Sequence, residues 1–315
     1  MARYGIIDCG SNTVRLCIYQ IDRDTKASYR RKDLRIVLNH KVMAGLASYV
    51  EDGIMSEQGI VHATEAIRSQ IQRASFFRCK AVDIFATAFL RNCRNSQSVT
   101  QRLEASINCH IHILTAADEA HLGYVGAASG SELTSGVLTD IGGGSTELSH
   151  LASGIDGDNV SIPQGSLSSF TQQVHGILPT DDEIDAIATS FRKRLEEEYA
   201  YRQTQCQTLY GIGGSLRGIA KLVGEVRKES DRPSTLDSSD IARLIGLCRR
   251  DQATFAHLAL KVIPDRIHTI VPGCLIAQEL LSYFGASQIK LCKGGVREGY
   301  LIERMLNAVP KPNGR

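Results

Sequence analysis

Two short segments fix most of what this chain can fold into: Ile7-Asp8-Cys9-Gly10-Ser11-Asn12-Thr13 and Thr139-Asp140-Ile141-Gly142-Gly143-Gly144-Ser145-Thr146-Glu147. Each sets an aspartate at the end of an apolar run and follows it with glycine and hydroxyl residues. Glycine admits positive φ and lets successive N–H groups converge on an anion, Ser and Thr hydroxyls add donors, and the aspartate can hold a divalent cation. Alternating apolar residues flank both segments, at 4–7 and 14–18 around the first and 137–141 and 148–151 around the second. The pair reads as a duplicated strand-loop-strand unit, two halves of one phosphate clamp. Neither half is a Walker A loop, since no Gly-Lys-Ser/Thr follows. Neither is a dinucleotide fingerprint, since each runs into a strand and not a helix.

At 315 residues the chain exceeds the usual size of one core, so two domains are expected, with the boundary drawn at 1–125 and 126–315. Residues 3–40 read as three strands. Helical spacing follows at 56–71, where Ile60, Ala63 and Ile67 recur after a Ser56 start. Then come a strand at 81–86, a helix at 97–107, a short strand at 111–114 and a helix at 116–128. Beyond the second glycine loop, 181–201 reads as a long charged helix, 208–212 as a buried strand and 216–223 as a helix. A Ser/Asp/Pro-rich stretch at 230–240 precedes two or three more helices, a strand at 289–292 and a last helix at 298–306. Such alternation argues for an α/β fold.

These segments, in this order, resemble the exopolyphosphatase and guanosine pentaphosphate phosphohydrolase family of the actin-like and sugar-kinase superfamily. Residues 8–13 are similar to the family's first signature, with Thr13 in its final Ser position, and 140–148 match the second residue for residue. Ala86-Thr87-Ala88-Phe89-Leu90-Arg91 resembles the family's Ala-Thr-x-x-x-Arg strand end. Asp118-Glu119-Ala120 resembles its Glu-Glu-Ala helix start, and Val296-Arg297-Glu298-Gly299 its Leu-Arg-Glu-Gly segment. The resemblance implies a duplicated, ribonuclease H-like, two-domain actin-like ATPase fold with a cleft between domains, the final helix returning to the first domain.

For chemistry, the resemblance implies phosphoanhydride hydrolysis, with Glu119 as the base that takes the proton of the attacking water and Arg91 as a charged grip on the phosphoryl group. Asp140 and Glu147, on either side of one turn, and Asp8 are the expected ligands of Mg2+, with Mn2+ the alternative. Ser11, Asn12 and Thr13 on one side and Gly142, Gly143, Gly144, Ser145 and Thr146 on the other are expected to hold substrate phosphate. Gly213 and Ser215, in a third glycine cluster that opens a helix, are added as contacts with a later phosphate. Plainer readings stand beside these. Glu119 and Asp118 can merely complement a helix N-terminus, Asp8 and Asp140 can be turn formers, and Arg91 can be a surface arginine. Arg297 and Glu298 are expected to set the C-terminal helix against the loops.

The expected substrate is inorganic polyphosphate, with guanosine pentaphosphate as the alternative and a catalytically silent phosphate sensor as a third reading. The chain has no Trp and 6% aromatic residues with which to grip a base. Met43, His268 and Lys293 depart from the family pattern, and the chain lacks the C-terminal helical domains of longer relatives, from which a preference for short polyphosphate is expected. A net charge of +2 announces no nucleic-acid partner, although Arg30-Arg31-Lys32 with Arg35, Arg192-Lys193-Arg194 and Arg249-Arg250 are local basic clusters. Nine cysteines without a Cys-x-x-Cys pair, no signal peptide and no membrane span point to a cytoplasmic protein with no membrane partner. A homodimer is one assembly open to it.

Overall fold

The computed structural model describes residues 1–22, 28–199, 206, 208–229 and 231–306. They form two compact units: Met1–Ser131 together with the chain from Gly294 on, and Glu132–Lys293.

In the first unit, β1 (Ala2–Cys9), β2 (Thr13–Ile21) and β3 (Arg35–Met43) make an antiparallel meander. A small hairpin of β4 (Val50–Glu51) and β5 (Ile54–Met55) leads to α1 (Glu57–Ser75). Then follow β6 (Ala81–Ala86), α2 (Ala88–Arg91), α3 (Ser96–Ile107), β7 (Ile111–Ile113) and α4 (Ala116–Gly130). β6 and β7 extend the sheet in parallel from β1, giving the order β3-β2-β1-β6-β7. Ser56 caps α1 by accepting the Gly59 N–H at 3.2 Å, satisfying one of the donors a helix start leaves open. The helix then turns Ile60, Ala63 and Ile67 onto Ile7, Val14, Leu16 and Ile18 of the sheet. A division at 125/126 would cut α4, whose hydrogen bonds run unbroken to its cap at Ser131. The units part after that cap.

The second unit repeats the plan. β8 (Gly136–Ile141), β9 (Thr146–Ala152) and β10 (Ile155–Ile162) form a meander, followed by α5 (Ser166–Gln173), α6 (Asp181–Tyr199), β11 (Thr208–Ile212), α7 (Gly213–Arg227), β12 (Thr235–Asp237), α8 (Ser238–Arg250), α9 (Gln252–Val262), α10 (Ile270–Phe284) and β13 (Gln288–Leu291). The strand order is β10-β9-β8-β11-β13-β12, again three antiparallel strands followed by parallel neighbours, with β12 added antiparallel at the edge. Phe191, Phe255 and Phe284 fill its core with the aliphatic residues of α7 and α10. The chain then re-enters the first unit as α11 (Val296–Tyr300), continued by a π-helical turn over Leu301–Met305.

The two sheets bear out the duplicated α/β reading, with local differences. β10 and α5 went unread because Asp156, Gly157, Asp158 and Asn159 break the alternation, and the register slips between Asp156 and Asn159. The polar stretch at 230–240 holds β12, a short edge strand; its first residue, Ser230, lies outside the described residues, as do 200 and 201 at the end of the expected long helix. Among the described residues no helix is long and apolar enough to cross a membrane.

Candidate active site

In the first unit, residues 10–12 connect β1 to β2 in a tight turn closed by Gly10 N–H to Thr13 O at 3.0 Å. The carbonyls are tied down: Ser11 O accepts the Ala47 N–H at 3.0 Å, and Asn12 O accepts those of Ala44 and Gly45 at 3.0 Å each. The Ser11 and Asn12 N–H groups, by contrast, donate to no acceptor among the described residues. Holding the carbonyls on one side leaves the amides for an anion on the other. Thr13 opens β2 opposite Met43.

Glu119 lies in the first turn of α4. The capping box there belongs to its neighbour, since Asp118 N–H donates to Thr115 Oγ1 at 3.0 Å and Thr115 Oγ1 donates to Asp118 Oδ2 at 2.6 Å. Asp118 is the helix-start acid, and Glu119 is left for another task. Arg91 Nη1 donates to Glu119 Oε2 at 2.8 Å and to Leu114 O at 3.0 Å. The two side chains are 17% and 12% exposed, so the pair is held yet reachable. Arg91 was expected at a strand end. The structure instead ends β6 at Ala86 and carries Arg91 on the one-turn helix α2, which swings it toward α4.

Asp8, at the end of β1, accepts from Arg297 Nη1 at 2.6 Å and faces its cross-strand partner Arg15. Burial and the nearby Arg297 charge lower the Arg15 value, which Asp8 partly offsets. Beside them Tyr19 Oη donates to Glu298 Oε1 at 2.9 Å. Burial first, then Glu298, pushes the Tyr19 phenol well above its usual value, which keeps it a donor.

In the second unit the turn between β8 and β9 is closed by Gly142 N–H to Ser145 O at 2.9 Å. The start of α5 grips its carbonyls: Ser166 N–H donates to Gly142 O, and Leu167 and Ser168 N–H to Gly143 O, each at 2.9 Å. The Gly143 and Gly144 N–H groups meet no acceptor among the described residues. Gly165 can be nothing larger, since a Cβ there would sit 2.6 Å from the Gly143 backbone. Thus α5, invisible in the sequence, is what shapes the second loop.

Asp140 and Glu147 are cross-strand partners flanking that turn. Glu147 is 3% exposed, and its Oε1 accepts from Ser145 Oγ at 2.5 Å and Ser161 Oγ at 3.0 Å. Ser145 therefore orients a carboxylate, and Thr146, fully buried, donates its hydroxyl to Gln164 O at 2.8 Å. These two loop hydroxyls serve the protein. Gly213 opens α7 at φ +87°, with Asp140 Oδ1 where a Cβ would project. Ser215, 4% exposed, lies 3.3 Å from Ser166 Oγ. Sequence reasoning missed Arg266, whose Nη2 lies 2.2 Å from where a Gly214 Cβ would be, a cation laid across the third glycine cluster. Nothing local to Pro264-Asp265-Arg266 signals that contact.

Two carboxylates facing each other across a turn fit Mg2+, which fills its remaining positions with water and phosphate oxygens. Among the described residues no group of three or more His, Cys, Asp or Glu side chains is arranged to hold a metal ion by itself. Most basic clusters of the second unit are structural. Arg192 pairs with Glu279 at 3.1 Å and lies over the Tyr283 ring, and Arg249 bridges to Asp181 at 3.4 Å and to Asp185. In the first unit Arg31, Lys32 and Arg35 line a cavity of about 660 Å³ with Asp22 and Asp33.

Set against known proteins, residues 21–308 match the model of the Ppx/GppA phosphatase family. Exopolyphosphatase 1 of Mycobacterium tuberculosis is 24% identical over 96% of this chain and 88% of its own length. Exopolyphosphatase 2 of the same organism is 25% identical over 96% of this chain and 98% of its own. A solved exopolyphosphatase from Cytophaga hutchinsonii shares the fold, with a TM-score of 0.80 at 20% identity over 97% of this chain and 98% of that one. The Aquifex aeolicus member of the Ppx/GppA family does so with a TM-score of 0.73 at 22% identity over 97% and 98%. With the family match running from β2 to beyond the π-helical turn, and the duplicated sheets and glycine loops in place, the chain belongs to the Ppx/GppA phosphatase family.

Proposed function

We propose that this protein is an exopolyphosphatase, hydrolysing the terminal phosphoanhydride bond of inorganic polyphosphate in the cytoplasm, with Mg2+ as cofactor and short chains preferred. The observation that carries the reading is the Glu119 carboxylate, partly exposed and fixed at 2.8 Å by Arg91, a geometry suited to a base that must take a proton without swinging away. Full-length similarity to exopolyphosphatases supports the substrate class.

In this reading a water oxygen attacks the terminal phosphorus while Glu119 accepts its proton. The bridging P–O bond breaks, its electron pair stays on the shortened chain, and orthophosphate leaves. The open amides of Ser11 and Asn12 in the first unit are suited to bind phosphoryl oxygens, and so, taken by itself, is the Gly143 and Gly144 pair in the second. Arg91 keeps the base oriented. Asp140 and Glu147 would hold Mg2+, which would supply positive charge to phosphoryl oxygens.

The test is phosphate release from tripolyphosphate, long polyphosphate and guanosine pentaphosphate, with Mg2+ and with chelator, for wild type and Glu119→Gln. Release from tripolyphosphate is expected to need Mg2+ and to fall by about 10²–10⁴ in Glu119→Gln. Full turnover by that variant removes Glu119 as the base, and much faster cleavage of guanosine pentaphosphate than of any polymer reassigns the substrate.

A further inference from the structure

The segment that follows the second unit makes an unusual set of contacts with parts of the first. Arg297 bonds Asp8, 289 positions earlier in the chain, and the next residue, Glu298, takes the buried Tyr19 hydroxyl from β2. The same segment is pressed onto α4, the helix that carries Glu119. A Cβ on Gly299 would lie 1.9 Å from Leu122 O, one on Gly126 would lie 1.9 Å from Gly295 O, and one on Gly294 would lie 2.2 Å from Gly126 O. Leu122 and Gly126 are about one and two helical turns beyond Glu119. The residues bracketing Glu119 are held as well: His121 Nε2 lies 2.8 Å from Glu303 Oε2, and Arg304 Nη2 donates to Asp118 Oδ1 at 2.7 Å. Glu303 and Arg304 sit on the π-helical turn, a geometry enriched at functional positions.

We propose that residues 294–305 are a clasp that fixes two parts of the reaction machinery at once, with Arg297 the positioning residue that sets the Asp8 end of the first phosphate loop in register with the Glu119 helix. The inference rests on the exopolyphosphatase reading for its activity readout only. In it Asp8 acts as the counter-ion of Arg297 and Arg15, not as a ligand of the metal. Two guanidinium groups beside one carboxylate disfavour a divalent cation there and favour an anion at the adjoining loop amides. The Nε of Arg297 is buried and has no hydrogen-bond partner among the described residues. A side chain serving stability alone gains nothing from an orphaned donor, whereas one placed to orient Asp8 keeps it.

The test compares Arg297→Gln, Arg297→Lys and Tyr19→Phe with wild type, measuring kcat and KM for tripolyphosphate, the Mg2+ half-saturation, thermal midpoint, and amide hydrogen exchange over residues 8–13 and 115–122. Arg297→Gln is expected to stay folded and lose at least tenfold in kcat, with KM and Mg2+ half-saturation within threefold. Exchange should quicken in both stretches. Arg297→Lys should recover part of the loss, and Tyr19→Phe should show the same pattern more weakly. A rise in KM with kcat unchanged would make Arg297 a substrate contact, and a large rise in Mg2+ half-saturation would return Asp8 to the metal; either overturns the proposal. So does exchange that quickens at 8–13 alone, or loss of the folded state in Arg297→Gln accompanied by wild-type kcat in Tyr19→Phe. If wild type releases no phosphate from polyphosphate, the functional reading fails, and the exchange data alone decide the clasp.

Discussion

At the scale of single residues, the glycines that matter are those whose missing side chain leaves room for a functional atom. Gly213→Ala would force a residue at φ +87° and set its Cβ 1.9 Å from Asp140 Oδ1. The expected outcome is a loss of about 1–3 kcal/mol in urea unfolding together with a rise of roughly tenfold in Mg2+ half-saturation, as one of the two carboxylates proposed to hold the metal is displaced. Gly285→Ala, at φ +62° with nothing among the described residues within 4 Å, is the comparison: about 1–2 kcal/mol of strain and an unchanged Mg2+ response. An equal effect of both on the metal would show that Gly213 acts through the backbone only. The glycine loops were legible in sequence because their chemistry is local. Arg297 was expected near the loops but its partner Asp8 was not legible, nor was Arg266 at Gly214, because no local pattern records which distant group a guanidinium will reach.

At the scale of elements, helix starts were the most readable features, since caps are short polar motifs next to apolar periodicity. Ser56 and the Thr115–Asp118 box stand where the sequence placed helix starts. The start of α6 adds a pH-dependent cap. Glu183 Oε1 meets His175 Nδ1 at 2.8 Å and its Oε2 accepts the Thr180 N–H at 2.8 Å. These bonds, His175 first, draw its value down from the usual 4.5 to about 2. A depressed carboxylate stabilises the fold above its unfolded value and ceases to do so as pH falls through its folded one. Glu183→Gln should therefore lower the thermal midpoint at pH 7, with the gap to wild type narrowing below about pH 4.5 and closing near pH 2. A constant gap across that range would mean the cap works by hydrogen bonding alone. Arg91 and α5 mark the limits of element reading: a one-turn helix and an eight-residue helix rich in Ser give too little periodicity to be seen.

At the scale of the molecule, the duplication was readable from the two glycine loops, because each loop demands a hairpin, whereas the third strand of the second meander was not. The return of the final helix to the first domain was expected from the family resemblance alone, and the contacts that place residues 294–305 there are a tertiary fact that packing decides. Phe85 stacks at 5.0 Å on Tyr300, and Leu301 and Ile302 are buried. Residues 132–293 expressed alone should unfold cooperatively in urea. Residues 1–131 alone should not, and joining 294–306 to them through a flexible linker should restore a single transition. Cooperative unfolding of 1–131 by itself would make the returning segment an accessory and not a part of that core.

Because that segment leaves the ribosome only after the whole of the second unit, the first unit must wait for it. At ordinary synthesis rates the delay is on the order of ten seconds or more. During that interval the second unit can already be complete while the Glu119 helix still lacks its partner. A nascent copy would thus lack a fixed Glu119 helix until residues 294–305 have emerged, and a pause ahead of that segment in the message would prolong the wait.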